Sequence, residues 1–260
     1  MPKDHSALIA ALAPAMHDAG ALIERIKAAG LTHSDKADAS PVTQADTQAE
    51  ALLEAAIRAA DPDAVIVGEE AVAAGIMPDP CGRFWLIDPL DGTRDFIAGR
   101  SDYSVNIGLV EAGVPVLGLV LHPPTNTLWA GARGLGAWVE RDGMRTAIRT
   151  RAMPPAPRIV TSHSHLDERT KAWVATIPDA IITPSGSSLK FCLLAEGLAD
   201  LYPRFGPTSE WDTAAADAIL RAAGGLTLGP DATHFPYAKP GYRNGAFLAI
   251  ADPACPLRLV

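Results

Sequence analysis

The stretch Trp85–Phe96, WLIDPLDGTRDF, contains the pattern on which the fold and the chemistry of this sequence depend. Its apolar start, Trp85 to Ile87, predicts a buried strand that leads directly into Asp88 and Asp91. Two like charges at the end of a buried strand repel each other unless they are solvated or a cation lies close to both. The segment is therefore either a solvated Asx turn or part of a site for a positive ion.

The residues that follow the strand favour a metal and phosphate site. Pro89 turns the chain, so that the carbonyl oxygen of Leu90 is able to point toward both aspartates. Gly92 allows close backbone approach, and a short helix that begins at Thr93 would direct its free N–H groups toward an anion. Carboxylate and carbonyl oxygens are the ligands that Mg²⁺ prefers, and bound Mg²⁺ commonly bridges to a phosphate.

Three further acidic segments strengthen this interpretation. The sequence Gly-Glu-Glu at 68–70 ends a predicted strand, Asp212 opens a predicted helix, and Asp46 lies in the first turn of another. Each has an ordinary explanation by itself, because glutamates after a strand are usually solvated and an acid near a helix start suits the helix dipole. Their occurrence together with the two aspartates of the opening stretch favours a shared site.

The composition is that of an ordinary globular protein, and its charge argues against a nucleic-acid polymer as a partner. The chain has 260 residues, of which 48% are hydrophobic and 20% are charged, so one large domain or two subdomains are expected. The net charge of −8 and the lack of a Lys/Arg run argue against a nucleic-acid partner, whereas a small anion is compatible once metal ions mask the acids. The three cysteines have no CxxC spacing and predict free thiols in a reducing compartment.

No segment is predicted to cross a membrane or to act as a secretory signal. The N-terminal region is apolar only in patches, and the longest apolar region, 105–121, is broken by Glu111, Gly113 and Pro115. These features predict a cytoplasmic protein.

The hydrophobic periodicity predicts helices and strands in two parts. A polar segment rich in Arg and Pro, 141–157, separates a mixed N-terminal subdomain, residues 1–150, from a C-terminal α/β subdomain, residues 151–260. The first is expected to hold the main metal and phosphate site, and the second to supply Asp212 and substrate contacts. Helices are predicted over about 6–29, 43–60, 167–174, 187–196 and 211–223, and strands over about 64–67, 83–88, 103–110, 114–122, 127–130, 136–140, 159–161, 180–183, 198–205 and 245–251.

Several of these segments resemble a known family. WLIDPLDGTRDF resembles the first signature of the inositol monophosphatase superfamily of Mg²⁺-dependent, lithium-sensitive phosphatases, and EWDTAAADAILRAAGG, which begins at Glu210, resembles its second. The glutamate pair at 69–70 and the segment from Lys36 to Asp46 fall where this family has its other site segments. The stretch Gly186–Ala215, which includes YPRFGPT, is more specifically similar to the CysQ-type 3′(2′),5′-bisphosphate nucleotidases, which hydrolyse adenosine 3′,5′-bisphosphate (PAP) to AMP.

The resemblance covers nearly the whole chain and implies a fold, a metal site and an activity. The expected fold is an α+β or α/β layered sandwich (αβαβα) of the inositol monophosphatase and fructose-1,6-bisphosphatase type. A first ion would be held by Glu70, Asp88, the Leu90 carbonyl and Asp91, and a second by Asp88, Asp91 and Asp212, with two or three Mg²⁺ ions in all. The catalytic residues would be Asp46, Glu70, Asp91 and Thr93, of which Asp46 and Thr93 would orient the attacking water. The phosphate and the rest of the substrate would be contacted by Leu90, Gly92, Thr93, Gly186, Ser187, Ser188, Lys190, Arg204 and Asp212.

Some of these residues also have an ordinary structural explanation. Arg204 is suited to grip a second phosphate, or it is an exposed surface arginine. Ser187 and Lys190 either contact the nucleotide, or cap a helix and lie along it. His163 and His165 are either a metal pair or ordinary loop residues, and Ala71 departs from the hydroxyl or acidic residue that the family usually has after the glutamate pair.

The predicted function is removal of the 3′-phosphate of PAP, with the sulfated nucleotide PAPS as a further candidate substrate, in sulfur assimilation and PAP recycling. The alternatives are an inositol-1-phosphate or other sugar-phosphate phosphatase, and a metal-binding regulatory protein of the same fold without turnover. A homodimer and peripheral association with the inner membrane stay open, because relatives provide examples and no feature of this sequence decides either.

Overall fold

The computed structural model describes residues 4–30, 33–35, 41–79, 82–162 and 167–259. Its helices are α1 His5–Ala29, α2 Gln44–Ala60, α3 Glu69–Ala73, α4 Thr93–Ile97, α5 Glu168–Ala175, α6 Leu189–Ala195 and α7 Ala214–Ala223. Its strands are β1 His33–Asp35, β2 Pro41–Thr43, β3 Ile66–Gly68, β4 Arg83–Asp91, β5 Ser104–Glu111, β6 Val114–His122, β7 Thr127–Ala132, β8 Gly136–Arg141, β9 Met144–Ile148, β10 Arg158–Ser162, β11 Ile181–Ser185, β12 Leu201–Arg204, β13 Thr208–Ser209, β14 Leu226–Leu228, β15 Arg243–Asn244 and β16 Phe247–Ile250.

Two sheets form the framework. The larger has the strand order β3-β4-β5-β6-β7-β8-β9 and is antiparallel except between β3 and β4. The smaller has the order β11-β10-β12-β16-β14, in which the first three strands are parallel and β16 runs antiparallel to both of its neighbours. Helices α1 and α2 pack on the larger sheet, and α7 contacts both sheets.

The alternation of residues along the smaller sheet shows how the layers are separated. Because successive side chains of a strand point to opposite faces, neighbouring residues enter different layers. Val160 and Tyr202 pack in the core that includes α6 and α7, whereas Ile159 and Leu201 pack with Trp173 of α5. The sequence of layers is α1/α2, large sheet, α6/α7, small sheet and α5, which confirms the predicted αβαβα sandwich.

Helix α1 owes its position to one apolar side. Leu12, Met16, Ala19 and Ile23 recur every three or four residues and are fully buried against the larger sheet and α2. Within the described residues, α1 is the one helix long and apolar enough to cross a membrane, yet 44% of that stretch is buried inside the protein. Its apolar side is therefore used for packing in the core.

Two glycines bring the start of α7 close to the larger sheet. A Cβ atom at Gly118 would lie 1.9 Å from the carbonyl oxygen of Ala215, and one at Gly108 would lie 2.7 Å from its amide nitrogen. The close approach places the first turn of α7, and Asp212 just before it, next to strand β5. A residue from the second half of the chain is thereby brought to the end of the first sheet.

Most of the predicted elements are present, with shifted ends. The polar segment 141–157 was expected to be a boundary without regular structure, but it contains the edge strand β9, most of whose residues are exposed. The larger sheet ends with β9 and the smaller sheet begins with β10, so the chain passes from one sheet to the other in this region. One core cluster nevertheless includes residues of both sheets. The division into 1–150 and 151–260 therefore stays a prediction. Lys36, His163 and His165 lie outside the described residues.

Candidate active site

A cleft of about 360 Å³ opens where the end of β4 meets the starts of α6 and α7. Its walls come from both halves of the chain, so no single segment forms it. The lining residues include Glu69, Asp91, Gly92, Thr93, Arg94, Asp95, Gly186, Ser187, Ser188, Lys190, Tyr202, Arg204 and Asp212.

The bend at the end of β4 turns both aspartates toward this region. Strand pairing with β5 shifts register between Asp88 and Asp91, and the two residues between them form the irregularity. Asp88 is buried, and its Oδ1 accepts a hydrogen bond of 3.1 Å from the amide of Leu90. The Leu90 carbonyl oxygen lies 3.0 Å from Thr93 Oγ1. The carbonyl thus faces the start of α4, and its predicted direction toward the two aspartates stays a prediction.

Gly92 makes the sharp turn from β4 into α4. Its φ of 99° lies in the left-handed region that favours glycine, and a Cβ atom there would lie 2.7 Å from the carbonyl oxygen of Asp102. Any other residue would meet both a strained backbone and a collision with the chain near Asp102.

Asp46 and Thr93 are in direct contact, as predicted. Asp46 Oδ1 accepts a hydrogen bond of 3.0 Å from Thr93 Oγ1. Its other oxygen accepts bonds from the amide and hydroxyl of Thr43, at 2.8 and 2.6 Å, in the capping box that begins α2. Burial raises the pKa of Asp46, and the bonds from Thr43 and Thr93 oppose that increase.

Ser188 connects the two halves of the site. Its hydroxyl oxygen lies 3.0 Å from Asp91 Oδ2, 2.7 Å from the carbonyl oxygen of Asp212 and 3.0 Å from Nδ2 of Asn106, which donates to it. The side chain is only 2% exposed. Asp212 itself is held by the amide of Ser209, which donates to Oδ2 at 2.8 Å.

The carboxylates of the site repel one another. Burial, followed by the charges of Glu69, Asp91 and Asp212, raises the pKa of Asp88 well above its ordinary range. Burial and then the charges of Asp91 and Glu69 do the same to the pKa of Asp212. Burial also raises the pKa of Asp91, although Lys190 and Ser188 favour its ionised form. A cation bound near these aspartates would therefore stabilise their ionised forms.

Glu69 is the glutamate of the pair that faces the cleft. Among the described residues, Glu69 lines the cleft and Glu70 does not, and Glu69 acts on the pKa values of Asp88 and Asp212. Glu70 instead donates its backbone amide to Glu50. Neighbouring side chains of a helix point about 100° apart, so the two glutamates of α3 face different surroundings. The pattern Glu-Glu contains no signal that separates them.

Lys190 and Arg204, two of the cationic residues in the cleft lining, come from the second half of the chain. Lys190 is only 4% exposed; its Nζ donates to the Ser187 carbonyl at 2.6 Å and lies 5.1 Å from the centre of the Tyr202 ring. Burial lowers the pKa of Lys190 to about 8, against the opposing effect of Asp91. Arg204 is half-buried and donates to the carbonyls of Gly206 and Pro207 at 3.2 and 3.3 Å. Lys190 therefore does not lie along an exposed helix, and Arg204 is not an ordinary surface arginine.

Gly186 and Ser187 form the turn that leads into α6. A Cβ atom at Gly186 would lie 2.4 Å from the side chain of Asp102, and Ser187 has a φ of 46°. Both residues line the cleft. The turn therefore forms part of the cleft lining, next to Ser188 and Lys190 at the start of α6.

The donor set fits a hard divalent cation in chemistry and charge. Asp88, Asp91, Asp212 and Glu69 supply oxygen ligands. Burial, and then the charges of neighbouring carboxylates, raise the pKa of Asp88 and of Asp212, and a bound cation would offset both effects. Within the described part of the chain, no three acidic, histidine or cysteine side chains already surround one common metal position.

The inositol monophosphatase family model matches residues 4–253, so the chain belongs to this family. The family consists generally of Mg²⁺-dependent phosphatases.

Particular relatives are more specific. The 3′(2′),5′-bisphosphate nucleotidase CysQ of Escherichia coli (strain K12) is 44% identical over 189 residues, which are 73% of this chain and 76% of that protein. The CysQ of Salmonella typhimurium (strain LT2) is 44% identical over 194 residues, covering 75% and 78%. The crystal structure of CysQ from Bacteroides thetaiotaomicron superimposes with a TM-score of 0.79 at 32% identity, over 95% of this chain and 97% of that one.

Proposed function

We propose that this protein is a Mg²⁺-dependent phosphomonoesterase that removes the 3′-phosphate of PAP and releases AMP and phosphate. The identity to CysQ bisphosphate nucleotidases supports the substrate class. The observation that carries the proposal is a cleft lined both by carboxylates, among them Asp91 and Asp212, and by the cations Lys190 and Arg204. Such a cleft suits a substrate with two phosphates, one beside metal ions and one beside cationic side chains. PAPS is a further candidate substrate, and the physiological setting would be PAP recycling in sulfur assimilation.

Four side chains and one carbonyl would hold two or three Mg²⁺ ions. Glu69 replaces the predicted Glu70 in the first set because its charge acts on the site. When bound, the ions stabilise charge on the reacting phosphate and lower the pKa of water. The proposed ligands are Glu69, Asp88, the Leu90 carbonyl and Asp91 for one ion, and Asp88, Asp91 and Asp212 for another.

Asp46 and Thr93 would orient the attacking water. The ionised carboxylate of Asp46 accepts the hydroxyl hydrogen of Thr93 at 3.0 Å, which leaves a lone pair on Thr93 Oγ1. That lone pair accepts a hydrogen bond from the water and points the water oxygen at phosphorus. No Ser, Cys or His nucleophile is needed.

The remaining residues would bind the substrate. The backbone N–H groups of Gly92 and Thr93 are proposed to contact the reacting phosphate, because α4 begins there. Lys190 and Arg204 would contact the second phosphate, with Gly186 and Ser187 beside the nucleotide. The buried hydroxyl of Ser188 already contacts the Asp91 carboxylate, the backbone carbonyl of Asp212 and the Asn106 amide. These contacts support a role in orienting Asp91 rather than in binding the nucleotide.

The test is phosphate release from PAP and from inositol 1-phosphate, each with Mg²⁺ and with EDTA. We expect strong preference for PAP, loss of activity in EDTA and inhibition by Li⁺. Preference for inositol 1-phosphate or another sugar phosphate would leave the metal chemistry intact and refute the nucleotide assignment. Absence of release from every phosphate ester, with Mg²⁺ still bound, would favour the regulatory alternative. A cytoplasmic location and a homodimer stay predictions.

A further inference from the structure

Helix α2 carries two acids one turn apart on the same side, Asp46 and Glu50. Residues four positions apart on a helix lie above one another. Asp46 contacts Thr93 in the cleft. Glu50 is only 7% exposed, and it contacts a different site segment, the first turn of α3. Helix α2 therefore contacts two parts of the site that are far apart in sequence.

Both oxygens of the Glu50 carboxylate are used in this contact. One accepts the backbone amide of Glu70 and the other that of Ala71, each at 2.8 Å. Amides in the first turn of a helix lack partners within that helix. The residue before α3, Gly68, makes no side-chain cap. The cap of α3 is thus supplied by a side chain of another helix.

Gly68 makes room for that carboxylate. A Cβ atom at this position would lie 2.5 Å from Glu50 Cδ and 2.6 and 2.7 Å from its two oxygens. The backbone of Gly68 has a negative φ of −98°, which any residue adopts. Close approach of Glu50, and not backbone freedom, is therefore what this glycine provides.

The two contacts lie on either side of Glu69. Its predecessor Gly68 packs against the Glu50 carboxylate, and its successor Glu70 donates to it. We propose that Glu50 is a positioning residue that holds the start of α3 so that the Glu69 carboxylate faces the cleft. This inference rests on the proposed function, because it treats Glu69 as a metal ligand.

Two variants disturb this contact in different ways. Glu50→Gln turns one carboxylate oxygen into an NH₂ group, which faces a backbone N–H as donor against donor and also removes one negative charge. Gly68→Ala keeps the charge of Glu50 but pushes its carboxylate away from α3. The matched control is Glu54→Gln, one turn further along α2, where the side chain is exposed and pairs with Arg58 at 2.9 Å.

The experiment is Mn²⁺ binding to the full chain without substrate, measured by electron paramagnetic resonance of the free ion. We expect affinity to fall about tenfold in both Glu50→Gln and Gly68→Ala, the loss typical of residues that orient metal ligands, and not to change in Glu54→Gln. If Glu50 acts through Glu69, the double variant Glu50→Gln/Glu69→Gln should bind no more weakly than Glu69→Gln alone.

Wild-type Mn²⁺ affinity in Gly68→Ala, or additive losses in the double variant, would overturn the positioning role. If Glu50→Gln does not fold, the Mn²⁺ affinity of Gly68→Ala alone tests the positioning role of Glu50. An unchanged affinity in Glu69→Gln would instead refute the ligand role assigned under the proposed function. The two failures are therefore distinguishable.

Discussion

The two walls of the cleft differ in charge and in how their side chains are held. The acidic wall consists of Glu69, Asp91 and Asp212, with Asp46 and Asp88 as buried neighbours. Asp46 and Asp88 accept hydrogen bonds from backbone amides, and Asp46 also from hydroxyls. On the cationic wall, Lys190 and Arg204 donate to backbone carbonyls. The local backbone partly compensates each charge, while the carboxylates of the acidic wall still repel one another. The difference indicates one wall built for cations and one built for anions.

Asp212 is the exception that joins them. It comes from the second half of the chain but contributes to the acidic group, because α7 packs closely on the glycines at 108 and 118. We expect substitutions on the acidic wall to change turnover and metal binding, and substitutions on the cationic wall to change KM.

The largest expected effect is that of Asp91→Asn on the acidic wall. Loss of a charged ligand shared by both proposed ions should reduce kcat by more than about 100-fold, at or beyond the upper range for disturbing a metal site. The amide oxygen is still able to accept the bond from Ser188, so the fold should be retained. Steady-state kinetics and circular dichroism test this, with Asp63→Asn, the same change at an exposed turn, as the control. Wild-type turnover in Asp91→Asn would contradict the assignment of the acidic wall.

A smaller effect is expected for Arg204→Ala on the cationic wall. Loss of a charged hydrogen bond to the second phosphate should raise KM for PAP about tenfold with little change in kcat. The matched comparison is 3′-AMP, which lacks the 5′-phosphate and should show a similar KM with both proteins. The KM of Arg204→Lys for PAP should lie between the values of the wild type and of Arg204→Ala. An unchanged KM for PAP would remove Arg204 from the substrate site and weaken the contrast between the walls.

The smallest effect concerns stability and pH. The pKa values of Asp88, Asp91 and Asp212 are raised above the ordinary value of 3.8 in the folded protein, so the folded state binds these protons more tightly than the unfolded state. Their contribution to stability is complete below that ordinary value and is lost as pH rises through the raised values. In EDTA, Tm should therefore be lower at about pH 7.5 than at about pH 5, a window below the pKa of about 8 of Lys190.

Mg²⁺ should reverse most of this loss because it binds the ionised carboxylates of the folded state. The increase in Tm on adding Mg²⁺ should accordingly be larger at the higher pH. Thermal unfolding at both pH values tests the direction of the change in Tm. In Asp91→Asn, the decrease in Tm between the lower and the higher pH in EDTA should be smaller than in the wild type. A Tm increase that is equal at both pH values would contradict strong repulsion on the acidic wall.

Sequence patterns predicted the elements that have strong periodicity. Helix α1 and the hairpin of β5 and β6 lie within a residue or two of their predicted ends, because their apolar residues recur with the period of the structure. Strand β9 was missed because four of its five residues are exposed and leave no apolar alternation. Helix α7 begins at Ala214 and not at Trp211, since the preceding residues form a turn.

The site could be predicted to the level of segments and not always to the level of side chains. The pair of Asp46 and Thr93 is in contact as expected, and Asp88, Asp91 and Asp212 influence one another's pKa values. The glutamate that lines the cleft is Glu69, one position before Glu70, the residue that the family resemblance implied.

The sequence by itself determined the layered fold, the family and the order of the acidic segments, because strand and helix periods and the Asp-Pro-Leu-Asp-Gly-Thr pattern are local properties of the chain. Only the tertiary structure decided which side chains meet. The burial of Lys190, the contacts of Ser188 and the reach of Glu50 to the start of α3 join residues between 20 and 97 positions apart. Such distances depend on how helices and sheets pack, and no local pattern contains that information.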